Sequence, residues 1–381
     1  MRRLRSGRAI GVAFAAMLLA ACGATNQNAS NRTPVPGTPT AAVTTQPSAS
    51  AAQRPSPAPV DPRLVIADFT RVQVRLARID ATDTATVNGR YDGIVSDQVI
   101  ALDGTTLQAL NRNGTVTKLG QLAATPDWVG VGTVAVNPQL SQWVYAIRDN
   151  ASNAAIHLGT PTSDRVIATL PSPDGNAYYQ PFAWNASGVY MVRQPIGIGG
   201  AGPFLEYDFP LAKFNVTTGR VADVSPQCIV HQVLDDGTMI CGRTNVGGQI
   251  EVRSPSGHSN LIQLAPGGGA TADAYISVSV SPDHTRLIAG RNGSKDPVIN
   301  YQIAMADLTS SSAHAFGPLD YVPDAWLPDG RVIADHRCAY VDWGGGPCNA
   351  SLDGTYFLSA DGASQSLFFK LVGTAFVVGY V

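Results

Sequence analysis

The sequence predicts an all-β protein, and three observations carry that expectation. Charged residues make up only 14% of the 381 residues, with Lys rare and Glu present only at Glu206 and Glu251. Gly, Thr, Val and Asn are plentiful instead. A short turn motif recurs along the chain at near-constant spacing. Soluble helices draw heavily on Glu and Lys, whereas β-branched residues suit strands and Gly or Asn suit turns.

The chain opens on Arg2, Arg3, Arg5 and Arg8 with no acid among them, followed by an apolar run from Ala9 to Ala21 broken only by Gly11. Such a run is too short to span ~30 Å of hydrocarbon as a helix and has the flanks of a signal-peptide core. It ends in Leu19-Ala20-Ala21-Cys22, which resembles the lipobox of bacterial lipoproteins. The resemblance implies cleavage after residue 21, a lipid on Cys22 and anchoring in the cell envelope, periplasmic or at the cell surface. From Gly23 to Pro62 the chain is Ala, Thr, Ser, Pro, Asn and Gln without aliphatic periodicity. It cannot bury enough apolar area to offset its ordering entropy, so residues 22–62 read as a flexible, Pro-stiffened tether and residues 63–381 as the folded domain.

Within that domain a turn flanked by strands repeats. Ser281-Pro282-Asp283-His284 precedes Arg286-Leu287-Ile288-Ala289, and Leu327-Pro328-Asp329-Gly330 precedes Arg331-Val332-Ile333-Ala334. Looser copies are Leu234-Asp235-Asp236-Gly237, Asn185-Ala186-Ser187-Gly188, Asn137-Pro138-Gln139 and Ser96-Asp97. Their third positions fall at 97, 139, 187, 236, 283 and 329, a period of the length that marks propellers and solenoids. Pro sets φ at the first turn position, Asp accepts local backbone hydrogen bonds and Gly takes the positive φ.

Each unit reads as a four-stranded meander, with strands at 98–102, 105–110 and 115–122 in the first and a hairpin turn at Arg112-Asn113-Gly114. Four short strands cannot bury both faces alone, so copies stack around an axis as a β-propeller. The motif resembles the Ser-Pro-Asp-Gly repeats of TolB-type, WD-repeat-like propellers, clearly at 281–284 and 327–331 and less so elsewhere. Six motifs leave residues 63–84 and 373–381 over. A ring closed by completing one blade from both ends of the chain would use them, which removes exposed strand edges and favours seven blades over six.

Beyond Cys22 four cysteines remain, Cys228, Cys241, Cys338 and Cys348, and an even number in an exported chain suggests disulfides. Cys338 with Cys348 is favoured because Trp343 to Pro347 turns back easily. Cys228 with Cys241 follows by subtraction, although an ideal hairpin at Asp236-Gly237 would set Cys241 opposite Gln232 and leave Cys228 in the preceding loop. No C-x-x-C spacing points to a metal, and no cofactor is expected.

The Gly197-x-Gly199-x-x-Gly202 string is followed by Pro203 and a strand-like Phe204-Leu205-Glu206-Tyr207, not by the helix a dinucleotide site needs. The net charge of -2 and the lack of a basic stripe argue against nucleic acid. Candidates for a ligand-binding mouth are Trp128, Trp184 and Trp326, near the predicted first strands of their blades, and His231 and His336, which flank turns. The expected function is a lipid-anchored, non-enzymatic docking platform for an envelope protein, a peptide or a glycan. The alternative is a propeller hydrolase or lyase acting on polysaccharide or peptide at the axial mouth; clustering of Asp or His on one face would favour it.

Overall fold

The structure is a computed structural model that describes residues 61–126, 133–149, 153–173, 175, 177–195, 211–225, 228–243, 248–264, 278–292, 301–336, 338, 349–370 and 375–381. The described residues form seven four-stranded antiparallel sheets, with a 3-10 turn at Ala350–Leu352. The first sheet contains β1 (Leu64–Asp68), β2 (Gln73–Ala77) and β3 (Asp83–Asn88), completed by the last strand, β28 (Ala375–Tyr380). Blade 2 holds β4 (Arg90–Val95), β5 (Gln98–Asp103), β6 (Thr106–Asn111) and β7 (Val116–Gln121). Blade 3 holds β8 (Val134–Val136), β9 (Trp143–Arg148), β10 (Ala154–Thr160) and β11 (Ser163–Leu170). Blade 4 holds β12 (Ala177–Asn185), β13 (Gly188–Pro195), β14 (Leu211–Asn215) and β15 (Arg220–Ser225). Blade 5 holds β16 (Cys228–Val233), β17 (Met239–Arg243), β18 (Gln249–Arg253) and β19 (Ser259–Gln263). Blade 6 holds β20 (Val278–Val280), β21 (Arg286–Asn292), β22 (Tyr301–Asp307) and β23 (His314–Leu319). Blade 7 holds β24 (Tyr321–Trp326), β25 (Val332–His336), β26 (Gly354–Leu358) and β27 (Gln365–Phe369).

Side chains alternate between the two faces of a strand, and here both faces are buried. On β5, Val99 and Ala101 pack with Val74 and Leu76 of blade 1, while Ile100 and Leu102 pack with Trp143 and Tyr145 of blade 3. This is why the second strands read as unbroken apolar runs such as Val99 to Leu102. The core divides into seven clusters, each shared by two successive blades. One of them joins blade 7 to blade 1, with Ala325, Ile333 and Phe357 against Leu64, Ile66 and Val377. Seven sheets with seven interfaces are a closed ring.

Closure is made by the two ends of the domain. β28 pairs antiparallel with β1 from Leu64↔Tyr380 to Asp68↔Ala375, and Arg63 and Val381 exchange both backbone hydrogen bonds at 2.9 Å. The segments left over from the six turn motifs thus supply the seventh blade, as the repeat arithmetic anticipated.

The motifs are the turns between first and second strands. Ser96 and Asp97 both take positive φ, 47° and 57°, as a two-residue hairpin loop requires. In four other blades the fourth motif residue is left-handed: Leu140, Gly237, His284 and Gly330, with φ between 54° and 86°. His284 therefore occupies a backbone position that glycine takes in its sister turns. Asp283 accepts from Ser281 Oγ at 2.6 Å and from Thr285 Oγ1 at 2.8 Å, contacts that hold its carboxyl down at about 2.

Cys228 and Cys241 are joined by a disulfide and both are fully buried. Two details of the expectation need correction. Cys228 is the first residue of β16 rather than part of a loop, and Cys241 stands opposite Val230, not Gln232. The hairpin loop spans residues 235–237, and a β-bulge at His231 slips the register by one more residue. That slip brings the two cysteines to 4.9 Å between Cα atoms. Cys338 is also disulfide-bonded; its expected partner Cys348 lies outside the described residues, as do Cys22, the tether and the glycine string at 197–202.

Candidate functional site

The first strands β4, β8, β12, β16, β20, β24 and β28 surround the axis and line a cavity of about 970 Å³. Each forms the inner edge of its sheet, so its axial side has no strand partner. Proline is tolerated on such an edge because no ladder hydrogen bond is lost, and Pro181 and Pro323 sit on β12 and β24.

Five of the seven inner strands carry a β-bulge at one level of the ring. The extra residues are Asp92, Phe182, His231, Asp324 and Val378. Each lies two or three residues before the last paired residue of its strand. A bulge bends the strand and re-aims a side chain, and all five residues line the cavity. At the same level β8 and β20 present Val134 and Val278. In blades 1 and 2 the bulge is followed by Gly379 and Gly93, with φ of 150° and 152°, which the absence of a Cβ permits.

Above this belt, Ser96, Asp97, Pro138, Ala186, Asp235, Pro282 and His284 also line the cavity. These residues belong to the motif turns, so the repeat seen in the sequence rims the mouth. Among the described residues, the lining contains four aspartates, Asp92, Asp97, Asp235 and Asp324, two histidines, His231 and His284, and no Lys or Arg.

Asp92 is structural. Its carboxylate accepts from the backbone N–H of Thr133 at 2.9 Å and of Val134 at 2.8 Å, and from Thr133 Oγ1 at 2.8 Å. It thereby clamps blade 2 to blade 3, with the Arg90 guanidinium 3.5 Å away. Burial pushes the carboxyl above its ordinary range, opposed by these hydrogen bonds and by Arg90. Similar links run between Asn185 Nδ2 and the Leu234 carbonyl at 2.9 Å, and between Ser96 Oγ and the Pro138 carbonyl at 2.7 Å. The hydroxyl of Tyr380, which lines the cavity, is pushed up by burial and, secondarily, by the charge of Asp97.

Three of the five residues singled out from the sequence meet at this cavity: Trp184, His231 and Trp326. Trp184 is half-buried at the end of β12. Trp326 is almost wholly buried, donates from Nε1 to the Ser279 carbonyl at 3.2 Å and lies under the Arg286 guanidinium at 4.8 Å, so it serves chiefly to pack blade 7 on blade 6. His336 is elsewhere, buried on β25 with Nδ1 3.1 Å from Asp353 Oδ1 and its ring edge-on to Tyr321. Trp128 lies outside the described residues. Sequence reading passed over Asp97, Asp235 and Asp324. The signal for Asp324 was a charge inside an otherwise apolar strand, Tyr321 to Trp326.

Two further clusters of ionisable groups lie away from the axis. His336, Cys338 and Asp353 bring potential ligand atoms within 4.8 Å of one another, but the sulfur of Cys338 is already committed to a disulfide and offers no thiolate. In blade 3, Asp164 accepts from Tyr145 Oη at 2.6 Å and lies 2.7 Å from His157 Nδ1, while Tyr145 takes the Ala123 N–H at 2.7 Å. Tyr145 is fully buried, and the group ties the strands of that blade together.

The chain matches no protein-family model and no curated protein. Solved structures similar to it include a protein assigned as a 6-phosphogluconolactonase from Bacteroides fragilis, with 12% identity over 86% of this chain and 99% of that one, and a TM-score of 0.48. Virginiamycin B lyase from Staphylococcus aureus aligns with 11% identity over 72% of this chain and 91% of its own, at a TM-score of 0.43. TolB from Acinetobacter baumannii aligns with 14% identity over 81% and 79%, at a TM-score of 0.39.

Proposed function

We propose that this protein is a binding platform of the cell envelope, held to a membrane by a lipid on Cys22, whose ligand enters the axial cavity. The observation that carries the reading is the cavity itself. Its volume of about 970 Å³ lies at the upper end of the ~300–1,000 Å³ range of ligand sites. Seven inner strands line it with polar, aromatic and aliphatic side chains. The Arg-rich start, the apolar run and Cys22 support the lipid anchor, and the Pro- and Thr-rich segment after it gives the propeller reach. Among the described residues no helix is long and apolar enough to cross a membrane. The partner classes that fit are a protein, a peptide or a glycan.

The test is crosslinking of the full-length protein in its native membrane, followed by mass spectrometry of what co-purifies. A reproducible partner whose crosslinks map to the motif turns supports the platform; crosslinks confined to the outer strands overturn it. A second reading is favoured by the meeting of Asp324 and His231 in one cavity: a hydrolase or lyase acting on polysaccharide or peptide there. Turnover of an envelope polymer that is lost in both Asp324→Asn and His231→Gln would establish that reading, and turnover unchanged in both would remove it.

A further inference from the structure

We propose that the axial cavity selects a cationic, extended ligand, a peptide segment bearing Lys or Arg side chains. This rests on the reading of the cavity as the binding site and adds the chemistry of what it takes. The first argument is charge. Asp97 and Asp235 are exposed at the mouth, and among the described residues no Lys or Arg lines the cavity. Nor does any of the motif turns around the mouth, 96–97, 138–141, 186–187, 235–237, 282–285 and 328–330, contain a Lys or Arg. A cleft lined by one sign of charge between low-dielectric walls focuses its field and draws in the opposite sign.

The second argument is spacing. Asp97 belongs to blade 2 and Asp235 to blade 5, three blades apart in a ring of seven, so they stand across the mouth from each other. Their carboxylates do not converge on one point. Among the described residues, the one trio of metal-type ligand atoms within 4.8 Å is at His336, Cys338 and Asp353, off the axis. Separated charges fit a ligand whose positive groups are also separated, not a single ion.

The third argument is the wall between the charges. Phe182, Trp184, Val233, Val280, Val378 and Tyr380 supply apolar and aromatic surface, which a small polyamine would leave uncovered. A peptide alternating basic and aliphatic residues uses both kinds of surface, and its cationic heads can lie over Trp184 or Tyr380.

The test uses the full-length protein and two synthetic peptides, one of alternating Lys and Leu and one of alternating Glu and Leu, followed by calorimetry and by Trp184 fluorescence with Trp184→Phe as the blank. The Lys-Leu peptide is expected to bind and to weaken about tenfold or more in Asp97→Asn/Asp235→Asn, with a marked loss at raised salt, because rim charges act through steering and screening. Both positions are exposed, so the variant folds, and Asn tolerates the positive φ at residue 97. Asp103→Asn, at the exposed end of β5, is expected to leave binding unchanged. Equal binding of the two peptides, or undiminished binding in the double variant, overturns the proposal. If only the Glu-Leu peptide or a neutral oligosaccharide perturbs Trp184, the cavity remains the site and the cationic assignment falls. If nothing perturbs it and partners crosslink elsewhere, both readings fall.

Discussion

Trp143 is the side chain whose surroundings leave least room for change. It lies on β9 with no exposed surface, directly opposite Gly159 on β10, and its ring fills the space above that glycine. On the other side, the far edge of the indole lies against Gly120 of β7 in the preceding blade. A Cβ built on either glycine falls inside the contact distance of the ring. The perturbation is Gly159→Ala. Since Trp143 is enclosed on both sides, the methyl must displace the indole or bend β10, and overpacking of this kind costs ~1–3 kcal/mol. With an unfolding entropy of ~2.1 cal/mol/K per residue over roughly 320 residues, ~3 kcal/mol lowers Tm by about 4 °C. The assay is thermal and denaturant unfolding of the wild type, Gly159→Ala, Trp143→Phe and the double variant. Trp143→Phe opens a void and destabilises by itself, yet Phe leaves space for the new methyl. The two changes are therefore expected to be non-additive, with the double variant more stable than the sum predicts by ~1 kcal/mol. An additive cycle, or a Gly159→Ala protein with unchanged Tm, would refute the packing argument.

Other expectations follow from the same contacts. Asp92→Ala leaves the Thr133 and Val134 amides without their acceptor, so we expect a loss of about 3 kcal/mol and faster hydrogen exchange at these two amides. Replacing Cys228 and Cys241 together with Ser removes a cross-link between residues 13 apart, at an expected cost of about 3 kcal/mol in denaturant titrations that become insensitive to reductant at this site. Asp283 has its carboxyl held at about 2 by Ser281 and Thr285, below its unfolded value. A depressed carboxyl contributes stability above the unfolded value and loses it as pH falls through the folded one. The stability gap between wild type and Asp283→Ala should therefore narrow from pH 5 to pH 2, read as the difference in denaturant midpoints.

The blade period was legible because the motif turns draw on a small set of residues: proline at 138, 282 and 328, a capping Asp at 236, 283 and 329, and a left-handed residue at 140, 237, 284 and 330. The strands beside them were legible because both faces are buried, which leaves runs such as Leu287-Ile288-Ala289 without alternation. The belt around the axis was not. Its five bulged residues are Asp, Phe, His, Asp and Val, and a bulge is set by the register of the whole hairpin rather than by its own side chain. The same slip made the disulfide between Cys228 and Cys241 look ill-placed in an ideal hairpin. Trp184 and Trp326 occupy matching ends of β12 and β24, yet Trp184 is half-open to the cavity and Trp326 is enclosed beneath Arg286. That difference comes from the neighbouring blade, which no local pattern encodes. Aspartates read as turn caps were correctly explained at Asp236, Asp283 and Asp329, each of which accepts from its own turn, while Asp97 and Asp235 in the same turns line the mouth.

The central claim is that the ligand is taken at the axial mouth, and site-specific photocrosslinking in the native membrane tests it most directly. A photoreactive residue replaces Ala186, exposed at the mouth, or Val166, exposed on the outer strand of blade 3. We predict adducts from position 186 and none from position 166. Adducts from position 166 with none from position 186 would contradict the claim.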